Sequence, residues 1–248
     1  MPADPLTARA RTLWQTIAAA PVTFPDSGVR VVASPGSRMC PPGWVGIVAL
    51  GGSAIATVPA EDAVAPVQHA LDGIDTASLT RPETLRTALP VASVLGPATL
   101  AYLAEDSFVL PRSDIAVEPL APDHPDLRAL LASASADDAD ESGIDEITSP
   151  AFTVREHGKV VAAAGYRTWP AATAHLCVLT AEAARGRGLA KRVAAAAVGD
   201  ALAASLLPQW RARPAASRRV ARALGFQELG NQLSVALDLD RLAESGPA

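Results

Sequence analysis

A short glycine-rich stretch holds the residues whose types and spacing are best suited to bind a ligand. It consists of Arg185, Gly186, Arg187 and Gly188, and it lies between an apolar run at 175–180 and an alanine-rich stretch. If the run is a strand and the stretch a helix, the glycines lie at a helix N-terminus, where backbone N–H groups lack partners and the helix dipole is positive. The pattern therefore predicts an anion site built mainly from main-chain donors, and phosphate is the commonest anion at such sites.

Two phosphate-binding loops do not fit this stretch. A Walker loop needs Gly-Lys followed by Ser or Thr, which is absent here. A dinucleotide fingerprint has a third glycine where this chain has Lys191, and it lies early in a βαβ unit rather than late in the chain. A flexible basic loop and a nucleic-acid contact are further alternatives. The charge balance disfavours nucleic acid, because 21 Lys and Arg stand against 26 Asp and Glu without a clustered basic excess.

The stretch resembles the pyrophosphate loop of the GNAT superfamily, the acetyl-CoA-dependent N-acetyltransferases. That loop has Gln or Arg, two variable residues, Gly, one variable residue, and Gly or Ala; residues 185–190 match it as Arg-Gly-Arg-Gly-Leu-Ala. Residues 217–226, which close with Leu-Gly-Phe, are similar to the family's second helical motif. The resemblance covers about 113–239. It implies an α/β (α+β) fold, with a mixed, mostly antiparallel sheet flanked by helices.

The resemblance also implies a reaction and its co-substrate. An acetyl group would pass from acetyl-CoA to a primary amine, on a small molecule or a protein, by direct attack in a ternary complex. The strand before the loop would part from its neighbour, its backbone pairing with the pantetheine arm, and an N–H near Val178 would stabilise the oxyanion. Ser217 would contact the cofactor or its thiol, or else cap a helix. The predicted cofactor-binding residues are Val178, Leu179, Thr180, Arg185, Gly186, Arg187, Gly188, Leu189, Ala190 and Ser217.

The catalytic groups are less well defined than the loop. Many family members carry an acid on the strand before the loop, where this chain has His175. His175 is our candidate base, since an imidazole pKa near 6.5 suits neutral pH; the alternative is a solvent-exposed strand-edge histidine. Ala221 stands where many family members carry a tyrosine that acts as general acid. Tyr166 is therefore the candidate acid, or else a core-edge aromatic. These departures leave open an acyl-CoA-binding sensor or interaction module with little activity.

Two further features bear on ligands. The acidic stretch 137–146 either attracts a cationic amine acceptor or is a solvated loop. The two cysteines and four histidines lack metal-ligand spacing, so we expect no metal.

The order of the predicted helices and strands indicates two domains. Residues 1–112 form a small α+β domain, either unrelated or a degenerate GNAT-like half, and residues 113–248 form the acetyltransferase domain. Thr80 and Glu83 predict a capping box. The other main predictions are a hairpin at Gly51-Gly52, a helix at 122–134, a hairpin at 151–169, a strand at 175–180, a helix at 188–204, and a last helix followed by Gly225.

Composition sets the remaining expectations. Of the 248 residues, 49% are hydrophobic and 19% charged, which supports a packed core and argues against disorder. Neither a signal-peptide pattern nor an apolar run long enough to span a membrane is visible in the sequence. We therefore expect a cytoplasmic protein without nucleic-acid or membrane partners, and a homodimer is a candidate assembly.

Overall fold

The computed structural model describes residues 4–112 and 114–238. Its helices are α1 (Pro5–Ile17), α2 (Val64–Leu71), α3 (Pro82–Ala88), α4 (Pro125–Ala132), α5 (Ala136–Ser142), α6 (Leu189–Ala203) and α7 (Ala215–Ala223). Its strands are β1 (Gly28–Ala33), β2 (Val45–Leu50), β3 (Ser53–Val58), β4 (Val91–Tyr102), β5 (Glu118–Leu120), β6 (Ala151–Glu156), β7 (Lys159–Trp169), β8 (Thr173–Thr180), β9 (Leu207–Ala212) and β10 (Gln227–Leu237).

Backbone contacts divide the chain into two units. Of the described residues, 4–100 and 228–238 form the first unit, and 101–112 with 114–227 form the second. The last strand, β10, which the sequence analysis assigned to the second domain, pairs antiparallel with β2 of the first unit. The domain boundary near residue 112 stays a prediction.

The first unit has a sheet with the strand order β1-β3-β2-β10-β4. Strands β2 and β3 form the predicted hairpin, and both Gly51 and Gly52 in its turn have positive φ. The predicted capping box is wrong. Helix α3 begins at Pro82 with Arg81 in the capping position and no side-chain cap, because the chain enters the helix one residue beyond Thr80, which is itself buried.

The second unit has a sheet with the order β9-β8-β7-β6-β5, antiparallel except for the parallel pair β8 and β9. Helix α6 packs on one face through small residues such as Ala194 and Ala197, which lets it lie close to β7. Helix α4 packs on β7 as well, but its leucines join a separate core cluster. A mixed, mostly antiparallel sheet flanked by helices was predicted, and the structure confirms it.

The two strand orders differ. In the second unit, strands that follow one another along the chain are also neighbours in the sheet, whereas in the first unit β1 pairs parallel with β3 and not with β2. This difference lends no support to a duplicated fold, which stays a prediction.

The helices around the glycine-rich stretch agree with the sequence analysis, apart from one cap. Helix α6 begins directly after Gly188, and Gly225 follows the last turn of α7 with φ +96°. The alternative that Ser217 caps a helix is wrong: α7 begins at Ala215 after Pro214, so Ser217 lies inside the first turn.

Within residues 4–112 and 114–238, no helix combines the length and the apolar character that crossing a membrane requires.

Candidate active site

Strands β8 and β9 part from one another in the second unit. Their paired residues run from Thr173 with Leu207 to His175 with Gln209, although β8 continues to Thr180 and β9 to Ala212. A cleft of about 550 Å³ is lined by residues of both strands beyond their last pair. Its lining includes Leu176, Val178, Leu179, Thr180, Arg185, Gly186, Gly188, Leu189, Ala190, Lys191, Trp210, Arg211, Ser217 and Arg219.

The glycine-rich stretch forms one wall of this cleft. Gly186 and Gly188 have φ values of +77° and +79°, and a Cβ atom added to either would meet no atom within 4 Å. Gly188 also caps α6 without a side-chain hydrogen bond, so the first amides of the helix have no partner inside it. The main chain here is open on the ligand side, as a phosphate cradle must be.

The two loop arginines are already paired. Nη2 of Arg185 lies 2.8 Å from Oδ2 of Asp138 on α5, and Arg187 makes two bonds of 2.9 and 2.5 Å to Glu156 at the end of β6. The hydroxyl of Ser135, and then Arg185, lowers the pKa of Asp138, while Arg187 lowers that of Glu156. The arginines therefore hold the loop to its neighbours, and the main chain supplies the donors that remain.

Ser217 lies in the cleft beside an aromatic partner. The indole Nε1 of Trp210 on β9 donates to Oγ of Ser217 at 2.9 Å, and both residues line the cleft. Among the described residues, the Ser217 hydroxyl proton has no acceptor. Trp210 thus fixes the oxygen and leaves that proton available to a ligand.

His175 is partly buried where β8 and β9 part. Its ring stacks on Trp169 with centroids 4.2 Å apart, and Nδ1 lies 2.5 Å from Oε1 of Gln209. Because an amide oxygen only accepts, Nδ1 carries the proton and Nε2 is the ring's acceptor. Burial, followed by the charge of Arg211, lowers the pKa of His175 to about 3. Its imidazole is therefore neutral at neutral pH and a weak proton acceptor.

Tyr166 lies on β7 against α6. Its hydroxyl donates to Oδ2 of Asp200 on α6 at 2.8 Å, and burial, with the hydrogen bond to Asp200, raises the pKa of Tyr166 to about 12. Neither Tyr166 nor His175 is among the described residues that line the cleft. The structure thus gathers the predicted cofactor residues, except Arg187, in the cleft wall and leaves the two candidate catalytic side chains outside it; their roles stay predictions.

The acidic stretch 137–146 folds as α5 and a short 3₁₀ turn. Three of its carboxylates pair with arginines, so less negative charge faces solvent than the sequence indicates. The ion pairs are Asp138–Arg185, Glu141–Arg213 and Glu146–Arg167.

Two groups in the cleft wall, Trp210 and Arg219, were given no role from the sequence. Helical spacing could have found Arg219, because Ala216, Arg219, Val220 and Ala223 are spaced at i, i+3, i+4 and i+7 and all four line the cleft. Nothing in the sequence shows that Trp210 donates to Ser217.

A mixed sheet whose parallel strands part beside a glycine-rich helix N-terminus is the arrangement that the sequence resemblance implied. A sequence-family model described as GNAT acetyltransferase matches residues 150–231. This part of the chain is therefore a GNAT acetyltransferase domain. No curated protein matches the chain in sequence.

One solved structure shares the fold over nearly the whole chain, and others are similar over part of it. A GCN5-related N-acetyltransferase from Kribbella flavida is 16% identical, with a TM-score of 0.54 over 96% of this chain and 98% of its own length. A GNAT-family acetyltransferase from Colwellia psychrerythraea is 17% identical over 59% of this chain, with a TM-score of 0.45. A GCN5-related N-acetyltransferase-like protein from Streptococcus suis is 21% identical over 58%, with a TM-score of 0.42. This chain spans 57% and 61% of the lengths of the latter two.

Proposed function

We propose that this protein transfers an acetyl group from acetyl-CoA to a primary amine by direct attack in a ternary complex. The observation that carries the proposal is the cleft between β8 and β9, which ends at the open main chain of Gly186 and Gly188. Acetyl-CoA is an extended ligand with a thioester at one end and a pyrophosphate towards the other. The cleft offers matching parts, because the free edge of β8 is followed by the glycine loop, whose amides can hold a phosphate.

The chain's groups divide the binding between them. The edge of β8 at Val178, Leu179 and Thr180 pairs with the amides of the pantetheine arm, as an added strand does. The amides of 186–190 hold the pyrophosphate at the N-terminus of α6. The acetyl group then lies near the point where β8 and β9 part.

The bound donor supplies a thioester carbonyl that a neutral amine attacks. A backbone N–H near Val178 stabilises the negative charge on the carbonyl oxygen. The new C–N bond forms as the C–S bond breaks, the nitrogen loses one proton, and the sulfur gains one. We assign the proton relay to Ser217, whose oxygen accepts from Trp210: its hydroxyl donates a proton to the sulfur and regains one from the attacking nitrogen.

A covalent acyl-cysteine route is disfavoured. Burial raises the pKa of the Cys177 thiol to about 12, so it stays protonated and a poor nucleophile. Cys40 belongs to the first unit, and burial raises the pKa of its thiol as well. Direct attack in a ternary complex therefore fits the chain better than a two-step transfer.

Initial-rate kinetics tests the proposal. CoA release would be measured while acetyl-CoA and a set of amines are varied: small amines, polyamines, aminoglycosides and peptides with free N-termini. We expect amine-dependent release with intersecting double-reciprocal lines. Parallel lines would indicate a covalent intermediate and would overturn direct attack, and the absence of acetyl-CoA binding by calorimetry would overturn the proposal as a whole.

A second candidate is a sensor or interaction module that binds acyl-CoA with little turnover. The observations that favour it are Ala221 in place of the family's tyrosine, the neutral His175, and the bond between Tyr166 and Asp200. Tight acetyl-CoA binding without amine-dependent release would favour this candidate, whereas robust turnover with any amine would exclude it.

A further inference from the structure

The carboxylates that line the cleft already have cationic partners. They are Asp138 and Glu141 of α5, which form ion pairs with Arg185 and Arg213. An acceptor with several positive charges gains most from carboxylates that no protein cation has neutralised. Within the described part of the cleft wall, no carboxylate is left without an ion pair. The acidic stretch therefore offers a cationic acceptor little charge to bind.

Strand β9 instead brings a positive charge to the place where the strands part. Arg211 is exposed and lines the cleft, two residues beyond Gln209, the last residue of β9 that pairs with β8. Residues two apart on a strand point to the same face, so Arg211 shares the face of Gln209 and His175. Burial, followed by the charge of Arg211, lowers the pKa of His175, which independently places this guanidinium near the imidazole. The other cations of the lining belong to the glycine loop, α6 and α7.

Gln209 adds a hydrogen-bond donor on the same face. The residue is fully buried, and its Oε1 lies 2.5 Å from Nδ1 of His175. Its Nε2 has no hydrogen-bond partner among the described residues. A buried donor without a partner is costly and rare in native proteins, and an amide nitrogen only donates. An oxygen atom of a ligand would therefore satisfy it.

The two side chains together favour one kind of ligand group. A guanidinium is best matched by a carboxylate, whose second oxygen has further lone pairs for an amide N–H. Residues two apart on a strand are about 7 Å apart, a distance that long Arg and Gln side chains span from both ends. A carboxylate held here would place an amine of the same molecule near the point where β8 and β9 part.

We propose that the acceptor is an amine that also carries a carboxylate, as an amino acid does, and that Arg211 and Nε2 of Gln209 bind that carboxylate. The inference rests on the proposed function, because it names the class of acceptor for the same cleft. It excludes polyamines and aminoglycosides as preferred acceptors, since these present only positive charge to Arg211.

Initial-rate kinetics with matched acceptors tests the inference. CoA release would be measured with α- and ω-amino acids, each beside its own amide, and with polyamines. We expect kcat/KM to be at least about tenfold higher for the best acid than for its amide, the effect of one charge-assisted hydrogen bond. Amine basicity would favour the opposite order, because the amide has the less basic amine and more of it is neutral at pH 7.5.

Two variants locate the carboxylate. Arg211→Gln should lower kcat/KM for the acid by about tenfold, with kcat/KM for the amide and the affinity for acetyl-CoA unchanged. Gln209→Glu keeps the oxygen that bonds to His175 and replaces the free donor by a second carboxylate oxygen. It should lower kcat/KM for the acid by more than tenfold and for the amide much less, because two carboxylates repel one another.

The control is Arg167→Gln on β7. Arg167 lies opposite His175 in the sheet and also lowers its pKa, but it bonds to Glu146 and is not part of the cleft lining. This variant removes the same charge from the same face and should keep the wild-type preference for the acid.

Three results would overturn the inference while the proposed function stands. They are equal kcat/KM of the wild type for acid and amide, turnover only of amines without a carboxylate, and an equal loss for acid and amide in Arg211→Gln. The last result would show that Arg211 serves the fold or the donor instead of the acceptor. Absence of amine-dependent CoA release with every acceptor would overturn the proposed function and the inference together.

Discussion

The two faces of β8 differ in how their polar groups are used. On the face that carries Leu176 and Val178, the side chains are apolar, and the groups open to a ligand are main-chain amides of the strand and of the glycine loop. On the face that carries His175 and Cys177, the polar side chains already have partners or are buried. The proposed donor half of the site therefore rests on backbone geometry, and the proposed catalytic half on side chains whose pairing the fold has already fixed.

The largest expected effect is on the backbone-built half. Gly188→Glu should weaken acetyl-CoA binding by about a hundredfold or more, because a carboxylate would enter the cradle and repel the pyrophosphate at the N-terminus of α6. Calorimetry would measure it. The left-handed φ of +79° adds strain for any side chain, so a matched control is needed.

Gly158→Glu is that control. Gly158 has φ +77° in the β6–β7 turn, and a Cβ there would also meet nothing within 4 Å. Both variants should lose similar stability on thermal unfolding, and only Gly188→Glu should lose binding. Equal binding by the two variants would contradict the main-chain cradle.

Ser217 provides the next largest effect, because it is the one side chain that we assign a chemical role in the cleft. Ser217→Ala should lower kcat by about tenfold to a hundredfold with little change in KM, since it removes the proton donor for the leaving sulfur. It also leaves the Trp210 indole N–H unpaired, at a cost of about 1–3 kcal/mol of stability. Ser217→Thr keeps the hydroxyl and should restore most of the rate. An unchanged kcat in Ser217→Ala would leave Ser217 only a structural partner of Trp210.

The conformation of the glycine loop and of the elements around it could be predicted from the sequence, for a physical reason. Positive φ at Gly186 and Gly188 is a local property that glycine permits, and the strand and helix around them follow from hydrophobic periodicity. The parting of β8 from β9 was implied by the family resemblance, and the ladder that ends at His175 and Gln209 shows it.

The side-chain pairs of the candidate catalytic residues could not be predicted from local sequence patterns. The bond between Tyr166 and Asp200 joins residues 34 positions apart, and the pairing of His175 with Gln209 has the same separation. No local pattern encodes such pairs, nor the burial that is the main cause of the pKa shifts of both candidate catalytic groups. The Thr80–Glu83 capping box is wrong as well: Thr80 is buried, and α3 begins one residue later, with Arg81 in the capping position.

The pH dependence of stability tests whether the fold keeps His175 neutral. Its folded pKa of about 3 lies below the usual 6.5, so between these values the unfolded chain binds a proton that the folded chain does not. Its contribution to stability is therefore complete above about pH 6.5 and is lost as the pH falls towards 3. His175→Gln should make the urea midpoint less dependent on pH between 7.5 and 5, and it should lower kcat less than tenfold because a neutral imidazole with a lowered pKa is a weak base. A large loss of kcat, with a pH profile that loses an inflection near 6.5, would instead restore His175 as the general base.

The smallest expected effect concerns the loop arginine that pairs with β6. Arg187→Ala should weaken acetyl-CoA binding by only about two- to threefold, because the guanidinium already bonds to Glu156 and acts on the ligand mainly by holding the loop. Glu156→Gln removes the same ion pair while it leaves the positive charge in place. If Arg187 serves the loop's position, both variants should weaken binding to a similar, small extent. If Glu156→Gln instead tightens binding while Arg187→Ala weakens it more than tenfold, Arg187 contacts the pyrophosphate directly, and this part of the donor half depends on a side chain as well as on the main chain.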